Sequence, residues 1–199
     1  MLTTPAVRAI RENFPEAQIT LLAKPWVAPV FHNNPYLDNV LVYESEGRHG
    51  GWLGKTRLVR ELRRQKFQLA VLFQNAFEAA LLVYMASVPV RIVYDTDCRG
   101  LLLTHRIPVD QDRVDSHHVE YYLGILKGAS LKLGDRKLTL ELSHMERARA
   151  EEILKENRIS VSHPLIGINP GAAFGSSKRW PLERYAALGH RIREARGAQ

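Results

Sequence analysis

Residues 165–181 read Leu-Ile-Gly-Ile-Asn-Pro-Gly-Ala-Ala-Phe-Gly-Ser-Ser-Lys-Arg-Trp-Pro, an apolar run joined to a helix start by a glycine-rich loop. The apolar run 165–168 predicts a strand, and Pro181, a residue type favoured in first turns, predicts where a helix begins. In open α/β sheets, ligands bind beside loops that leave the carboxyl ends of strands, and N–H groups at a helix start attract phosphate. The stretch therefore predicts an α/β fold with a ligand-binding loop.

Four apolar runs earlier in the chain extend this pattern: residues 19–22, 40–43, 69–73 and 90–94. They are nearly continuous rather than alternating, as strands are when helices cover both faces of a parallel sheet. Helical patterns separate them, and residues 76–86 are apolar nearly all round, which predicts a buried helix. Strands that alternate with helices predict right-handed βαβ units in a doubly wound parallel sheet.

A charged helical segment and a polar linker predict a boundary between two domains. Residues 143–157 form the charged segment, and residues 160–164 have the composition of a linker. We therefore assign residues 1–158 to one Rossmann-like domain and residues 159–199 to the start of a second. The chain opens on a helix where a βαβ fold begins with a strand. The sequence thus predicts that the first strand, and the remainder of the second domain, are missing.

The charge of the chain favours an anionic partner. With 199 residues, a formal net charge of +7 and a pI of about 9.7, the chain suits nucleic acid, an acidic membrane surface or a phosphorylated small molecule. A single cysteine, Cys98, excludes an intrachain disulfide. No run is long and apolar enough to span a bilayer, and the N-terminus lacks a signal-peptide layout, so a cytoplasmic protein is expected.

The side chains of the glycine-rich loop suit a phosphate ligand. Gly171 and Gly175 allow a ligand to approach the backbone closely. Ser176 and Ser177 can donate hydroxyl hydrogen bonds, and Lys178 supplies a positive charge for a pyrophosphate. The loop matches neither a P-loop nor the dinucleotide-binding fingerprint. The alternative is an ordinary strand-to-helix turn with a solvated lysine.

Several segments resemble glycosyltransferase family 9. Residues 166–188 carry Asn-Pro-Gly-Ala, Lys-Arg-Trp-Pro and Arg-Tyr-Ala-Ala-Leu, which resemble the start of the family's second domain. Residues 2–10 resemble the family's first helix, and residues 71–75, 88–92 and 99–104 resemble later family segments. The resemblance covers essentially the whole chain and, within the family, is greatest to the type II ADP-heptose:lipopolysaccharide heptosyltransferases.

The resemblance implies the GT-B architecture, two Rossmann-like domains with the active site in the cleft between them. It implies an inverting glycosyltransferase that moves heptose from ADP-heptose to an inner-core acceptor of the heptosyl-Kdo2-lipid A type. No cofactor beyond this nucleotide-sugar co-substrate is implied, and no nucleic acid. The implied partners are the donor, the lipopolysaccharide precursor and, by peripheral contact, the cytoplasmic face of a Gram-negative inner membrane.

The resemblance also assigns roles to the loop residues. Lys178 matches the family lysine that contacts the donor phosphates, where it would stabilise the charge developing on departing ADP. The other donor-binding residues implied are Gly171, Ala172, Ala173, Gly175, Ser176 and Ser177. Where family members carry loop threonines, this chain has Ala173 and Phe174, so backbone N–H groups or the two serines would replace those hydroxyls.

Two further family motifs are expected outside the chain. The general base, the aspartate of a Gly-Asp pair, would precede Met1, and an Asp-x-Gly-x-x-His donor-binding segment would follow Gln199. A transferase of this fold needs a base to deprotonate the acceptor hydroxyl. The 199-residue chain alone is therefore expected not to turn over.

Arginines on the helical segment 54–65 form a second candidate site. Arg57, Arg60 and Arg64 share one stripe opposite the apolar residues of that segment. With Arg99, which matches a family arginine on the acceptor side, they are predicted to bind carboxylates and phosphates of the acceptor. The stripe would also suit the anionic inner leaflet. The alternative is a solvated basic face.

Other polar residues suggest less specific roles. Residues 47–52 predict either a mobile loop over an acceptor or a plain surface connection. Neighbouring His117 and His118 point about 100° apart on a helix, so a solvated or capping role is favoured and no metal is assigned. Cys98 has no activating pattern nearby and is predicted to be structural.

Two alternatives to a heptosyltransferase stay open at this point. One is a family 9 transferase that acts on another sugar or acceptor. The other is a non-catalytic, basic Rossmann-like module that binds nucleic acid. The composition permits the second, although the sequence contains no RNP-like, KH-like or helix-turn-helix signature.

Overall fold

The computed structural model describes residues 1–96, 99–109, 117–160, 162–172 and 179–197, which belong to two compact units, Met1–Glu141 and Leu142–Gln199. The first unit contains, in chain order, helix α1 (Thr4–Asn13), strand β1 (Thr20–Ala23), a 3₁₀ helix (Ala28–Phe31), β2 (Asn39–Val42), α2 (Gly51–Arg64), β3 (Leu69–Val71), α3 (Phe77–Met85), β4 (Val90–Tyr94), a second 3₁₀ helix (Gly100–Leu102), β5 (His105–Ile107) and α4 (His118–Gly128). The second unit contains α5 (His144–Glu156) and α6 (Leu182–Arg196).

The strands of the first unit pair in parallel, as predicted, but they form two sheets. Strand β1 pairs with β2, and Thr20 lies opposite Asn39. Strands β3, β4 and β5 form the second sheet with β4 in the centre, and Leu69 lies opposite Val90. Over the described ranges, no backbone ladder joins the two sheets, so side-chain packing has to connect them.

Helix α2 provides that packing. Its buried residues Leu58, Val59 and Leu62 form a cluster with Leu82 and Ala86 of α3. Leu22 of β1, Leu41 of β2 and Ala70 of β3 pack against this cluster. One helix therefore covers strands from both sheets, and the periodicity of its apolar residues places them on a single side.

Helices α1 and α4 cover a second face. Ala6 and Ala9 of α1 pack on Val119, Leu123 and Leu126 of α4, and Val71 of β3 contacts the same cluster. On β4 the side chains alternate: Tyr94 packs with Ile125 of α4, while Val93 packs with Ala80 of α3. A strand buried on both faces has this arrangement, which explains the unbroken apolar runs.

Three elements differ from their predictions. Strand β5 was not predicted because only Ile107 of its three residues is buried, which leaves no apolar run in the sequence. Helix α3 is not buried all round: Phe77 and Tyr84 are about half exposed, since neighbours cover only part of its circumference. Residues 165–168 are not a strand, because no described segment pairs with them.

The second unit is built on two charged helices. Ser143 caps α5, accepting a hydrogen bond from the backbone N–H of Glu146 while the Glu146 side chain bonds back to the cap residue. Pro181 precedes α6, as predicted, and Leu182, the first residue of that helix, is largely exposed. The compact units divide before α5, and the domain boundary at residues 158/159 stays a prediction. No helix among the described residues has the length and apolarity needed to cross a membrane.

We predict that Leu58→Ala lowers the free energy of unfolding by about 2–5 kcal/mol, because it empties a buried site shared by both sheets. Leu53→Ala, on the same helix but largely exposed, is the matched control and should change stability by less than about 0.5 kcal/mol. Urea unfolding followed by circular dichroism measures both. Equal effects of the two substitutions would contradict the packing described here.

Candidate functional site

Arg99 organises the edge of the second sheet where ligands bind in folds of this class. The residue is fully buried, and its guanidinium donates to the loops that follow β3 and β4. The acceptors are the carbonyl oxygens of Gln74, Ala76 and Tyr94 and the side-chain oxygens of Asn75 and Thr96. These bonds span 2.8 to 3.4 Å.

This placement changes the role assigned to Arg99. All three guanidinium nitrogens already have oxygen partners within the protein. The predicted contact with an acceptor receives no support from a side chain with no exposed surface. Its structural role is to hold two loops in register at the carboxyl edge, which the rigid, forked guanidinium suits.

A second polar cluster lies at the carboxyl edge of the first sheet, and the sequence did not reveal it. Lys24 follows β1 and Tyr43 follows β2, and the Lys24 ammonium lies 4.3 Å from the centre of the Tyr43 ring. The Tyr43 hydroxyl donates to Glu78, whose other oxygen lies 3.2 Å from Lys55. The ammonium of Lys24 also donates to the Ser45 hydroxyl. These residues are far apart in the sequence, so no local motif predicts that they form a cluster.

The protonation states of this cluster follow from its contacts. Burial, together with the hydrogen bond to Glu78, raises the pKa of Tyr43 to about 12. The hydrogen bond from Tyr43, with help from Lys55, lowers the pKa of Glu78. The cluster therefore holds a neutral phenol beside an ionised carboxylate and two cations at neutral pH.

The arginine stripe is confirmed as a geometric feature of α2. Arg57, Arg60 and Arg64 are exposed, and Leu53, one turn before Arg57, heads the same stripe. Arg57 donates to the carbonyl oxygen of Arg48, at 3.3 Å. The only acid in α2, Glu61, is engaged by Arg48 and His49 instead. The stripe is thus a surface of net positive charge.

The segment before α2 is anchored rather than open. His49 is buried, accepts a hydrogen bond from the Glu44 N–H and lies 3.3 Å from Glu61. The backbone of His49 contacts Gly54 so closely that a β-carbon at Gly54 would lie 2.3 Å from it. The surface-connection interpretation of residues 47–52 is therefore favoured, and its last two residues already belong to α2.

An apolar cleft of about 210 Å³ separates α2 from α3. Trp52, Lys55, Thr56 and Val59 line it from α2, and Phe77, Glu78, Leu81, Leu82 and Met85 line it from α3. Lys55 and Glu78 form its polar corner and connect it to the cluster around Tyr43. The cleft was missed in the sequence because α3 was expected to be buried.

Most of the predicted donor loop lies outside the described residues. Gly171 is exposed, and its N–H donates to the Asn169 side chain at 3.0 Å. Ala172 is partly buried. The predicted donor residues Ala173, Gly175, Ser176, Ser177 and Lys178 are not described, nor is Cys98.

One of the two histidines has the capping role that the sequence offered beside a solvated one. His117 is the cap residue of α4, and its ring nitrogen accepts a hydrogen bond from the Val119 N–H at 3.3 Å. His118 stacks against Tyr122. Glu120, the acid beside them, is bound by Arg136. Each of these three side chains therefore has a contact within the protein that explains its position.

We predict that Arg99→Lys lowers the free energy of unfolding by roughly 3 kcal/mol or more, because buried acceptors lose their donors. Arg64→Lys, at an exposed position of α2, is the matched control and should be neutral. Chemical denaturation of both variants measures the difference. Wild-type stability of the Arg99→Lys protein would contradict the loop-holding role.

The raised pKa of Tyr43 leads to a prediction for alkaline pH. A raised pKa means that the fold favours the protonated Tyr43, so its stability contribution is complete below pH 10, its ordinary pKa, and is lost as pH rises towards 12. Absorbance titration at alkaline pH should show a late phenol phase that Tyr43→Phe removes. Tyr84→Phe, at a half-exposed tyrosine, should leave that phase unchanged. A late phase that survives in the Tyr43→Phe protein would refute the assignment.

Comparison with known proteins agrees with the fold and the sequence pattern. The sequence model "Glycosyltransferase family 9 (heptosyltransferase)" matches residues 55–198. Lipopolysaccharide heptosyltransferase 2 of Salmonella typhimurium is 28% identical over 198 residues, which is 96% of this chain and 56% of that protein. The enzyme of the same name from Escherichia coli is 27% identical with the same coverage. The chain spans about half the length of the curated relatives it matches.

Solved structures show the same fold. A family 9 glycosyltransferase from Veillonella parvula superposes with a TM-score of 0.84 at 24% identity, covering 98% of this chain and 56% of that one. The E. coli ADP-heptose lipopolysaccharide heptosyltransferase II gives a TM-score of 0.78 at 24% identity, covering 98% and 58%. They confirm the α/β fold of the GT-B type. With parallel strands covered by helices on both faces and a family match over more than half its length, the chain belongs to glycosyltransferase family 9, the heptosyltransferase family.

Proposed function

We propose that this chain carries part of an inverting transferase that moves heptose from ADP-heptose to the inner core of lipopolysaccharide. The observation that carries the proposal is the family match, together with relatives named lipopolysaccharide heptosyltransferase 2 along 96% of the chain. The acceptor would be of the heptosyl-Kdo2-lipid A type. The reaction would then take place at the cytoplasmic face of an inner membrane.

The donor side is assigned to residues 171–178. In this proposal Lys178 stabilises the negative charge that develops on ADP as the glycosidic bond breaks. Gly171 and Gly175 allow the pyrophosphate to approach backbone N–H groups, and Ser176 and Ser177 donate from their hydroxyls. The nucleotide sugar is a co-substrate, and the proposal includes no further cofactor.

The acceptor side is assigned to Arg57, Arg60 and Arg64. Their exposure and the engagement of Glu61 by other residues support the assignment, because an anionic acceptor needs cations that are not already neutralised. Arginine binds carboxylates and phosphates through two parallel N–H bonds, so it also orients them. Arg99 contributes indirectly by fixing the loops at the carboxyl edge.

Donor binding is the first test, and it requires no turnover. ADP-heptose should raise the melting temperature of the chain in a concentration-dependent way, and Lys178→Gln should remove that rise. Lys155→Gln, at an exposed lysine of α5, is the matched control and should leave it intact. Nanomolar binding of nucleic acid with a steep salt dependence, and no response to ADP-heptose, would instead favour the nucleic-acid module.

The second test measures the KM for the acceptor in a heptose-transfer assay. It uses the protein translated from the whole open reading frame. Exchange of Arg57, Arg60 and Arg64 for Gln should raise the KM for the acceptor by about tenfold or more, without a change in the KM for ADP-heptose. The same exchange at the exposed Arg147, Arg191 and Arg193 is the control. Transfer of a different sugar, or to a different acceptor, would identify another family 9 activity.

A further inference from the structure

A tryptophan is exposed to water at the carboxyl edge of the first sheet. Directly after β1, the backbone N–H groups of Val27 and Ala28 donate to the carbonyl oxygen of Lys24 and close a turn. Pro25 takes the second position of this turn, which proline favours because its φ is already fixed. Trp26 follows it and is 69% exposed. The turn therefore presents a large aromatic side chain on a constrained backbone.

The ammonium group of Lys24 lies beside this indole. It is 5.9 Å from the centre of the Trp26 ring and 4.3 Å from the centre of the Tyr43 ring. It also donates a hydrogen bond to the Ser45 hydroxyl. An ammonium group has three N–H donors, and among the described residues only Ser45 accepts from this one. Two donors therefore stay available to a ligand that lies on the indole.

The charges around this pair do not favour an anion. The carboxylates of Glu44 and Glu46, between β2 and α2, are exposed. A third carboxylate, that of Glu78, lies 3.2 Å from the Lys55 ammonium. These three negative charges outnumber the ammonium groups of Lys24 and Lys55. An anionic ligand would be repelled by nearby charges of its own sign, whereas a neutral ligand with hydroxyl groups would not.

We propose that Trp26 and Lys24 bind a neutral pyranose ring, with one face of the ring on the indole and its hydroxyl groups at the ammonium. One face of such a ring carries C–H groups, which are favoured against an aromatic surface over water. Its hydroxyl oxygens accept hydrogen bonds, and a charged donor makes stronger ones than a neutral donor. A nucleotide would also stack on the indole, but its phosphates would meet the three carboxylates.

The inference gives a ligand to residues that the transfer proposal leaves unused. Naming the ring as a heptose of the acceptor rests on that proposal, in which the arginine stripe binds the anionic groups of the acceptor. A neutral heptose needs a separate subsite, because the guanidinium fork matches carboxylates and phosphates. Ligands of α/β folds bind at the carboxyl ends of strands, and Trp26 and Lys24 follow such an end.

Saturation-transfer NMR on the 199-residue chain tests the subsite without turnover. Free L-glycero-D-manno-heptose, the probe, should receive magnetisation at its C–H protons, and Trp26→Ala should reduce that transfer about tenfold. Trp52→Ala, at a tryptophan of α2 that is 71% exposed, is the matched control and should keep it. Because both side chains are exposed, urea midpoints should stay unchanged and confirm folding. Transfer that persists in the Trp26→Ala protein, or none in the wild type, would overturn the proposal.

The same measurement separates a neutral sugar from an anionic ligand. Raising the salt from about 0.1 to 0.5 M should leave the transfer to heptose unchanged, because the probe has no charge to screen. Magnetisation transfer to ADP or to the sugar acid Kdo should be the same in the wild type and in the Trp26→Ala protein. Transfer to either anion that depends on Trp26 would identify an anion site and refute the neutral ring.

Kinetics of the protein translated from the whole open reading frame identify which sugar occupies the subsite. Trp26→Ala and Lys24→Met should each raise the KM for the acceptor about tenfold or more, without a change in the KM for ADP-heptose. Lys127→Met, at an exposed lysine of α4, is the matched control and should change neither. A rise in the KM for ADP-heptose instead would support the subsite but assign it to the heptose of the donor.

Two further outcomes separate this inference from the proposed function. Unchanged KM values for both substrates in the Trp26→Ala protein would overturn the subsite and leave the transfer reaction in place. Absence of heptose transfer by the wild type would refute the proposed function, whereas the NMR measurement would still decide the subsite.

Discussion

The packing of Leu58, Val59 and Leu62 against both sheets is the constraint on which the first unit depends. Parallel strands usually gain their alignment from a continuous ladder of backbone hydrogen bonds, and here the ladder is divided between β1–β2 and β3–β5. The apolar side of α2 bridges that division with side chains from a single helix. Any displacement of α2 would therefore alter the relation between the two carboxyl edges, where Lys24 and Tyr43 meet Glu78.

The same helix carries the arginine stripe and one wall of the cleft, and the helical repeat explains how it can do so. A helix with 3.6 residues per turn separates its inward residues from its outward ones by geometry alone. Leu58 and Leu62 face the sheets, and Val59 lies between them and the cleft, which Trp52 also lines. The arginines of the stripe face outward. Residues of the outer stripe can therefore be replaced without disturbing the core, which is why exposed and buried substitutions on α2 are expected to differ so strongly in their effect on stability.

Local sequence patterns predicted the elements that depend on local chemistry. The bounds of β4 follow from an apolar run, and the helical segment expected at residues 143–157 was found as α5 (His144–Glu156). The order of strands and helices, and their parallel pairing, followed from the same kind of pattern. Strand β5 was missed because an edge strand with one buried side chain has no apolar run to detect.

Tertiary contacts determine the surroundings of each side chain, and residue type alone does not predict those contacts. Arg99 and Arg60 look alike in sequence, yet Arg99 is fully buried among carbonyl oxygens and Arg60 is exposed on a helix. Whether an arginine binds a ligand or holds a loop depends on where its neighbours fold. Likewise, the apolar surface of α3 predicted burial, but its exposed part became one wall of a cleft. That exposed part lies beside the cations of α2, and tertiary packing, not residue type, brings the two together.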